Sequence, residues 1–177
     1  MVDLPCDLIF NRGVSISSGV RFRCYPKGTQ VPILSQWIGH QRFIYNSKVD
    51  EDKYFRTFRN HSLLMTGQHT LIDQQYSQFK DKDRTPFLYE VPSQILSNGA
   101  YRYMLAYSRF CQGLAGRPAR RKKYGRQTVM ITNELFQLVP TGRTIKTKDG
   151  DVTEHKLIIG TPKFPVGELK FKAPQTL

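Results

Sequence analysis

The feature that most constrains the fold is a stripe of apolar residues that recurs through residues 95–114. Spacings of 4, 4, 3, 4 and 4 put these residues on one face of a helix. The stripe predicts an α-helix that begins at Pro92 and ends near Gly116, a glycine suited to a helix C-terminus. Gly99 within it costs roughly 1 kcal/mol relative to alanine, so it predicts a close crossing with another helix. The stripe consists of Ile95, Gly99, Tyr103, Ala106, Phe110 and Leu114.

A second helical pattern comes before this stripe, and β patterns stand on both sides of the two. Pro32 suits the first turn of a helix, with Thr29 as a candidate cap, and the helical spacing then continues to about Phe58. Residues 14–25 alternate and are rich in β-forming residues, which indicates a strand. The Asp-Gly pair at 149–150 is typical of a hairpin turn. The remaining predicted strands are 128–132, 135–139, 143–147, 152–159 and 169–171.

This order of elements predicts an α+β fold, a small wedge-like β-barrel interrupted by a helical recognition insertion. The barrel is predicted from residues 14–28 and 126–173, so the two ends of the chain pair in one sheet. The insertion is predicted at residues 29–125 and ends in a basic stretch, and residues 1–13 form an N-terminal extension.

The charge of the chain predicts a polyanionic partner. The sequence has 27 Lys and Arg against 14 Asp and Glu, for a formal net charge of +13. Residues 101–177 hold 15 of these basic residues and only 5 of the acidic ones. Such an excess favours nucleic acid over a membrane surface. With no apolar run near the roughly 20 residues of a membrane helix, we expect a cytoplasmic, nucleoid-associated protein without a membrane partner.

Catalytic and metal-binding motifs are absent from the sequence. The 3 cysteines show no CxxC spacing, and the 4 histidines show no metal-ligand spacing. Paired carboxylates occur only at residues 50–52 and at residues 81 and 83. A two-metal nuclease needs carboxylates that converge from separate elements. We therefore expect no enzyme activity, no cofactor and no metal, and a nuclease that acts alone is the least favoured alternative.

Two groups of basic residues are candidates for phosphate contacts. The first is the basic loop, defined here as residues 116–126, which has no acidic residue to pair its cations. Such a loop can neutralise several phosphates, and a solvated turn is the alternative. The second group alternates with aromatic residues, a pattern that suits RNA. The loop cations are Arg117, Arg120, Arg121, Lys122, Lys123 and Arg126, and the second group is Arg21, Arg23 and Lys27.

Four stretches in chain order carry a resemblance to a known family. Residues 21–46 contain an R-x-YP turn and a G-x-x-RF-x-YN signature. Residues 85–125 contain a VPSQ helix start and the basic loop, and RQTVMITN at 126–133 and LIIGTPKFPVGELKFK at 157–172 follow. Together they resemble the N-terminal half, wedge plus recognition region, of TnpB/OrfB-type transposon-encoded RNA-guided nucleases, which are related to compact type V CRISPR effectors.

The resemblance implies that this half grips a guide-type RNA and reads a short DNA motif next to the target. It also implies that cleavage belongs to a RuvC-like domain, and the sequence stops where that domain would begin. By the same resemblance, Arg42, Tyr45 and Asn46 support the RNA-binding surface or brace the barrel. The sequence departs from the family pattern at two places, with Phe87 where tryptophan is common and Ala119-Arg120 where an aromatic residue is usual.

A set of small polar side chains is placed by the resemblance at the target-adjacent duplex. Hydroxyls and amides are chemically suited to read base edges. Ordinary helix capping by Ser93 and a turn at Asn133 are the alternative interpretation. The proposed DNA-reading residues are Ser93, Gln94, Ser97, Asn98, Thr132 and Asn133.

The leading hypothesis is therefore a nucleic-acid-binding module. Its expected partners are structured guide-type RNA and double-stranded DNA, with a separate catalytic chain as an open option. The alternative is a sequence-specific helix-turn-helix DNA-binding protein associated with a transposon, in which the first helices read DNA. Salt-dependent binding to structured RNA, compared with duplex DNA, separates these two hypotheses.

Overall fold

A computed structural model describes residues 24–66, 75–147 and 150–174. In these residues the fold is α+β, as predicted, with two α-helices and one three-stranded antiparallel sheet. The main elements are α1 (Gln30–Thr66), α2 (Ser93–Cys111), β1 (Phe136–Thr147), β2 (Gly150–Gly160) and β3 (Pro165–Pro174), with 3-10 helices at Ser77–Phe79, Pro86–Tyr89 and Asn133–Leu135.

The described chain falls into two compact units. Residues 37–66 and 75–130 form the helical unit, and residues 24–36, 131–147 and 150–174 form the sheet unit. The strands of the sheet unit form an open sheet in the order β1-β2-β3. Most of the predicted first strand, residues 14–25, lies outside the described residues, so closure into a barrel stays a prediction.

Helix α1 begins with a reciprocal pair of hydrogen bonds. The Lys27 N–H donates to Gln30 Oε1 at 2.8 Å, while the Gln30 N–H donates to the Lys27 carbonyl at 2.9 Å, which satisfies donors at the helix start. Pro32 lies in the first turn, as predicted. The helix continues to Thr66, so the predicted end near Phe58 is wrong. No Gly or Pro stands between the two positions to end the helix earlier.

Helix α2 crosses α1 closely at Gly99, as its place in the apolar stripe predicts. A Cβ atom at this position would lie 2.8 Å from the Gln41 carbonyl oxygen and 3.0 Å from the Ile44 Cβ. The first distance is shorter than real Cβ contacts and involves backbone, so the close crossing requires glycine. The largest apolar side chains buried in this unit are Trp37, Ile44, Leu88, Ile95, Leu96 and Tyr103.

The C-terminus of α2 lies earlier than predicted. The helix ends at Cys111, and Gly113 with φ +70° is the left-handed residue that follows it, rather than Gly116. The Leu114 N–H donates to the Arg109 carbonyl at 2.9 Å, which is the bond of a Schellman motif. Leu114 is exposed, so the apolar stripe is buried in its first half only.

The sheet is built from two antiparallel pairings. Strands β1 and β2 pair as far as Thr147 opposite Gly150, which agrees with the predicted hairpin, although residues 148–149 lie outside the described chain. The register shifts between Pro140 and Thr144, where proline has no N–H for the ladder. The buried apolar side chains of this unit are Leu135, Ile159, Val166, Leu169 and Phe171.

Candidate nucleic-acid interface

Asn46 on α1 holds the backbone of the basic loop. The Arg121 N–H donates to Asn46 Oδ1 at 2.8 Å, and Asn46 Nδ2 donates to the Arg121 carbonyl at 3.1 Å. The Arg121 guanidinium lies 3.8 Å from the centroid of the buried Tyr45 ring, a cation–π contact. Tyr45 in turn packs edge-to-face against Tyr103 of α2. Tyr45 and Asn46 therefore fix the position of the loop, which is not a freely solvated turn at Arg121.

Two arginines of the loop pair with carboxylates of α1, which corrects the expectation of an unpaired cluster. Arg117 Nε lies 3.3 Å from Asp52 Oδ2, and Arg120 NH1 lies 3.2 Å from Asp50 Oδ2. Asp52 is only 4% exposed, whereas both partners of the second pair are open to solvent. The loop sequence alone did not show this pairing because the acids come from a distant part of the chain.

Of the other four cations of the loop, Arg121 stacks on Tyr45 and three are open to solvent. Lys122, Lys123 and Arg126 are exposed, and none of them pairs with a carboxylate in the part of the chain that the structure describes. Tyr124 stands among them with 92% of its surface exposed. The loop therefore presents free positive charge beside an open aromatic ring.

Gln41 and Arg102, which the sequence did not mark as site residues, hold the segment that follows the loop. Gln41 is 1% exposed, and its Nε2 donates to the Ile95 carbonyl at 3.1 Å and the Met130 carbonyl at 2.9 Å. Its Oε1 accepts from the Met130 N–H at 2.7 Å and from Arg102 NH1 at 3.1 Å. Arg102 also donates to the Thr128 carbonyl at 3.1 Å and hydroxyl at 2.8 Å. These bonds join both helices to one segment of irregular backbone.

The predicted strand at residues 128–132 is wrong, since residues 126–132 have no regular secondary structure. The sequence there is rich in β-forming residues. Its backbone groups, however, are hydrogen-bonded by side chains instead of by a neighbouring strand. The Gln41 side chain forms hydrogen bonds with both the N–H and the carbonyl of Met130. A tertiary environment of this kind overrides β-propensity.

Arg42 also supports the loop conformation. Its NH1 donates to Gln127 Oε1 at 2.9 Å. Gln127 Nε2 donates in turn to the carbonyls of Gly125 and Lys123. Arg42 therefore stabilises the end of the loop through Gln127.

The proposed DNA-reading residues at the start of α2 differ in exposure. Ser93 is exposed, and the helix start has no side-chain capping bond. Gln94 and Ser97 are half-buried. Asn98 is only 7% exposed and donates to the Met130 carbonyl at 3.2 Å. Ser93, Gln94 and Ser97 are therefore accessible to a ligand, whereas Asn98 stabilises the irregular segment at residues 126–132.

The remaining predicted site residues lie in the sheet unit or outside the described chain. Thr132 is extended and half-buried, and Asn133 is exposed at the start of a 3-10 helix. Lys27 is exposed in the turn before α1. Arg21 and Arg23 lie outside the described residues.

The described residues offer no cluster for a metal ion. Within residues 24–66, 75–147 and 150–174, no group of three or more His, Cys, Asp and Glu side chains is placed to hold one. The buried His155 stacks on Phe171 with ring centroids 5.6 Å apart and contacts the Thr153 carbonyl, so it belongs to the sheet core. None of the helices in these ranges is both long enough and apolar enough to cross a membrane.

Exposed Lys and Arg side chains clustered on one loop are a typical feature of nucleic-acid-binding proteins. Residues 16–53 match a family model described as a helix-turn-helix domain, that of the OrfB/IS605 type. The match places the N-terminal region of this chain in the TnpB/OrfB transposon-associated family, and it supports a nucleic-acid-binding helix-turn-helix module. No curated protein gives a significant match to the chain.

The described part of the matching segment contains one helix. Residues 24–27 are irregular, residues 28–29 form a turn, and α1 then runs without a break past residue 53. A turn followed by one long helix is therefore the geometry that residues 24–53 present.

Proposed function

We propose that the chain is the guide-RNA-binding and target-adjacent-motif-reading module of a TnpB-like RNA-guided nuclease system, with the basic loop as its RNA-binding surface. The anchored loop is the observation that carries the proposal. Lys122, Lys123 and Arg126 are exposed, with no carboxylate partner among the described residues, on a backbone that Asn46 and Gln127 fix. Phosphates that these cations neutralise release counterions. Because the loop is already ordered, binding loses little conformational entropy.

The one aromatic residue of the loop, Tyr124, favours RNA over duplex DNA. Tyr124 is almost fully exposed, and Lys123 Nζ lies 5.7 Å from its ring centroid. An open ring beside a cation suits stacking on an unpaired base together with a contact to the backbone. Unpaired bases occur in the loops and bulges of structured RNA, whereas the bases of a DNA duplex are already stacked on each other. This feature supports a structured RNA as the partner of the loop.

Duplex DNA is proposed to meet a different set of residues. Ser93, Gln94 and Ser97 retain accessible polar groups at the start of α2. Thr132 and Asn133, in the sheet unit, are proposed separately as DNA-reading residues. Side chains that read base edges change which sequence is preferred, whereas phosphate contacts change affinity for all sequences alike. Substitution of Gln94 is therefore expected to alter the DNA preference with little effect on RNA binding.

The description of the matching family model favours a second candidate, a sequence-specific helix-turn-helix DNA-binding protein associated with a transposon. In that case the first helices read duplex DNA, and the basic loop is not the main surface.

Binding measurements with two matched variants test the proposal. Fluorescence anisotropy compares a structured RNA with duplex DNA of the same length at one salt concentration. Both variants change two Lys and one Arg to Gln, so their net charge is equal. The loop variant replaces Lys122, Lys123 and Arg126, and the control variant replaces the exposed Lys82, Arg84 and Lys163.

The proposal expects the wild type to bind RNA more tightly than duplex DNA. The loop variant is expected to lose at least about tenfold in RNA affinity, since charged hydrogen bonds are among the stronger ones. The control variant is expected to lose much less. Preference for duplex DNA, with equal losses in the two variants, would support the helix-turn-helix candidate instead.

We further propose that the chain has no catalytic centre of its own and acts in the cytoplasm with the nucleoid, beside a separate catalytic chain or domain. Supporting this, two of the few clustered carboxylates, Asp50 and Asp52, are paired with arginines of the basic loop. Purified protein with Mg²⁺ or Mn²⁺ is expected to leave single- and double-stranded DNA intact. Cleavage that follows the protein through successive columns and stops with EDTA would contradict this.

A further inference from the structure

A pocket of about 310 Å³ lies beside the basic loop in the helical unit. Four of its six described lining residues are cationic and none is acidic. Two of the cations belong to the exposed set of the loop, and the other two are partly buried. The lining residues are Arg102, Arg121, Lys122, Gly125, Arg126 and Thr128.

The two partly buried arginines are fixed before any ligand arrives. Arg102 donates one hydrogen bond to Gln41 and two to Thr128. A guanidinium has five N–H donors, so two N–H groups of Arg102 have no partner among the described residues. Arg121 is fixed by its stacking on Tyr45 and by the bonds of its backbone to Asn46. Preorganised guanidinium donors of this kind are suited to phosphate oxygens.

The electrostatics of the pocket favour an anion. Partial burial, and then the positive charge of Arg121, lower the pKa of Arg102 below its usual value, against an opposing effect of Tyr45. Like charges held close together in a partly desolvated site repel each other, and an anion between them removes that repulsion.

We propose that this pocket binds one phosphate group of the RNA chain and so fixes the register of the RNA on the basic loop. That the phosphate comes from RNA rests on the function proposed above, whereas the affinity of the pocket for phosphate does not. Lys122 and Arg126 add positive charge around the phosphate group, and the free N–H groups of Arg102 donate hydrogen bonds to its oxygens. The other cations of the loop attract the RNA without selecting one phosphate.

Two double variants distinguish specific binding of a phosphate in the pocket from general electrostatic attraction by the basic loop. Each removes one Lys and one Arg of the same loop, so the change in net charge is equal. The pocket variant is Lys122→Gln with Arg126→Gln. The control variant is Arg120→Gln with Lys123→Gln, neither of which lines the pocket. Arg120 pairs with Asp50 only at the surface, where such pairs contribute little to stability, so both variants are expected to fold.

The first measurement uses inorganic phosphate alone, at constant ionic strength, and follows the Nε–Hε signal of Arg102 by NMR. The wild type and the control variant are expected to show a saturable shift with similar affinity. The pocket variant is expected to bind phosphate at least about tenfold more weakly. A shift that does not saturate in the wild type, or equal loss in the two variants, would overturn the pocket.

The second measurement uses RNA of one sequence with a 5′-phosphate or a 5′-hydroxyl. The pocket variant is expected to bind RNA more weakly than the control variant. Tighter wild-type binding of the 5′-phosphate form assigns a terminal monoester to the pocket, and equal binding of both forms assigns an internal diester. Saturable phosphate binding without RNA binding would overturn the proposed function and the claim that the bound phosphate belongs to RNA. The titration with inorganic phosphate tests separately whether the pocket binds phosphate.

Discussion

Replacement of Gln41 by leucine is expected to destabilise the helical unit by about 3 kcal/mol. The side chain is 1% exposed and makes four hydrogen bonds, two of them to the backbone of Met130. A typical bond of this kind contributes about 0.5–1.5 kcal/mol, and an unsatisfied buried donor costs about 1–3 kcal/mol. The Met130 N–H and one donor of Arg102 lose their partner, and the apolar leucine offsets part of that loss.

Urea unfolding followed by the fluorescence of Trp37 measures this change. Trp37 is the single tryptophan of the chain and is buried in the same unit. Gln112→Leu is the matched control, because Gln112 is exposed and bonds only locally to Ser108, so its effect is expected within about 0.5 kcal/mol. A loss below about 1 kcal/mol for Gln41→Leu, with an unchanged m-value, would refute the assigned role.

Two further predictions concern a glycine pair and an acidic turn. Gly99→Ala is expected to destabilise the protein, because its Cβ would lie 2.8 Å from the Gln41 carbonyl oxygen. Gly39→Ala has open space around it and is expected to stabilise the protein by up to about 1 kcal/mol. Thermal unfolding of the two variants checks this, and equal changes in melting temperature would contradict it. Hydrogen bonds from the backbone N–H groups of residues 84 and 83 lower the pKa of Asp81. The stability that its carboxylate contributes is therefore present above the unfolded-state pKa, and it is lost as pH falls through the lower folded-state pKa. Asp81→Asn keeps the acceptor without the charge and is expected to make the acid limb of the stability curve shallower, and an identical acid limb would argue against this.

Local patterns predicted the elements that depend on local chemistry. The stripe around Gly99 gave both α2 and its close crossing with α1, since the spacing and the missing side chain are visible in the sequence. The pairing of Arg117 with Asp52 was not predictable, because the two are brought together only by the fold. Gln41 has no mark of a special role in the sequence, because its four hydrogen bonds depend on where the fold places Ile95, Arg102 and Met130.

The salt dependence of RNA binding tests the central claim most directly. Log affinity falls linearly with log salt, by about 0.7–0.9 for each phosphate neutralised. If Lys122, Lys123 and Arg126 each contact a phosphate, their replacement by Gln is expected to make the slope about two units shallower. The control at Lys82, Arg84 and Lys163 is expected to keep the wild-type slope. An unchanged slope in the loop variant, with an unchanged melting temperature, would contradict the account of the basic loop as the RNA-binding surface.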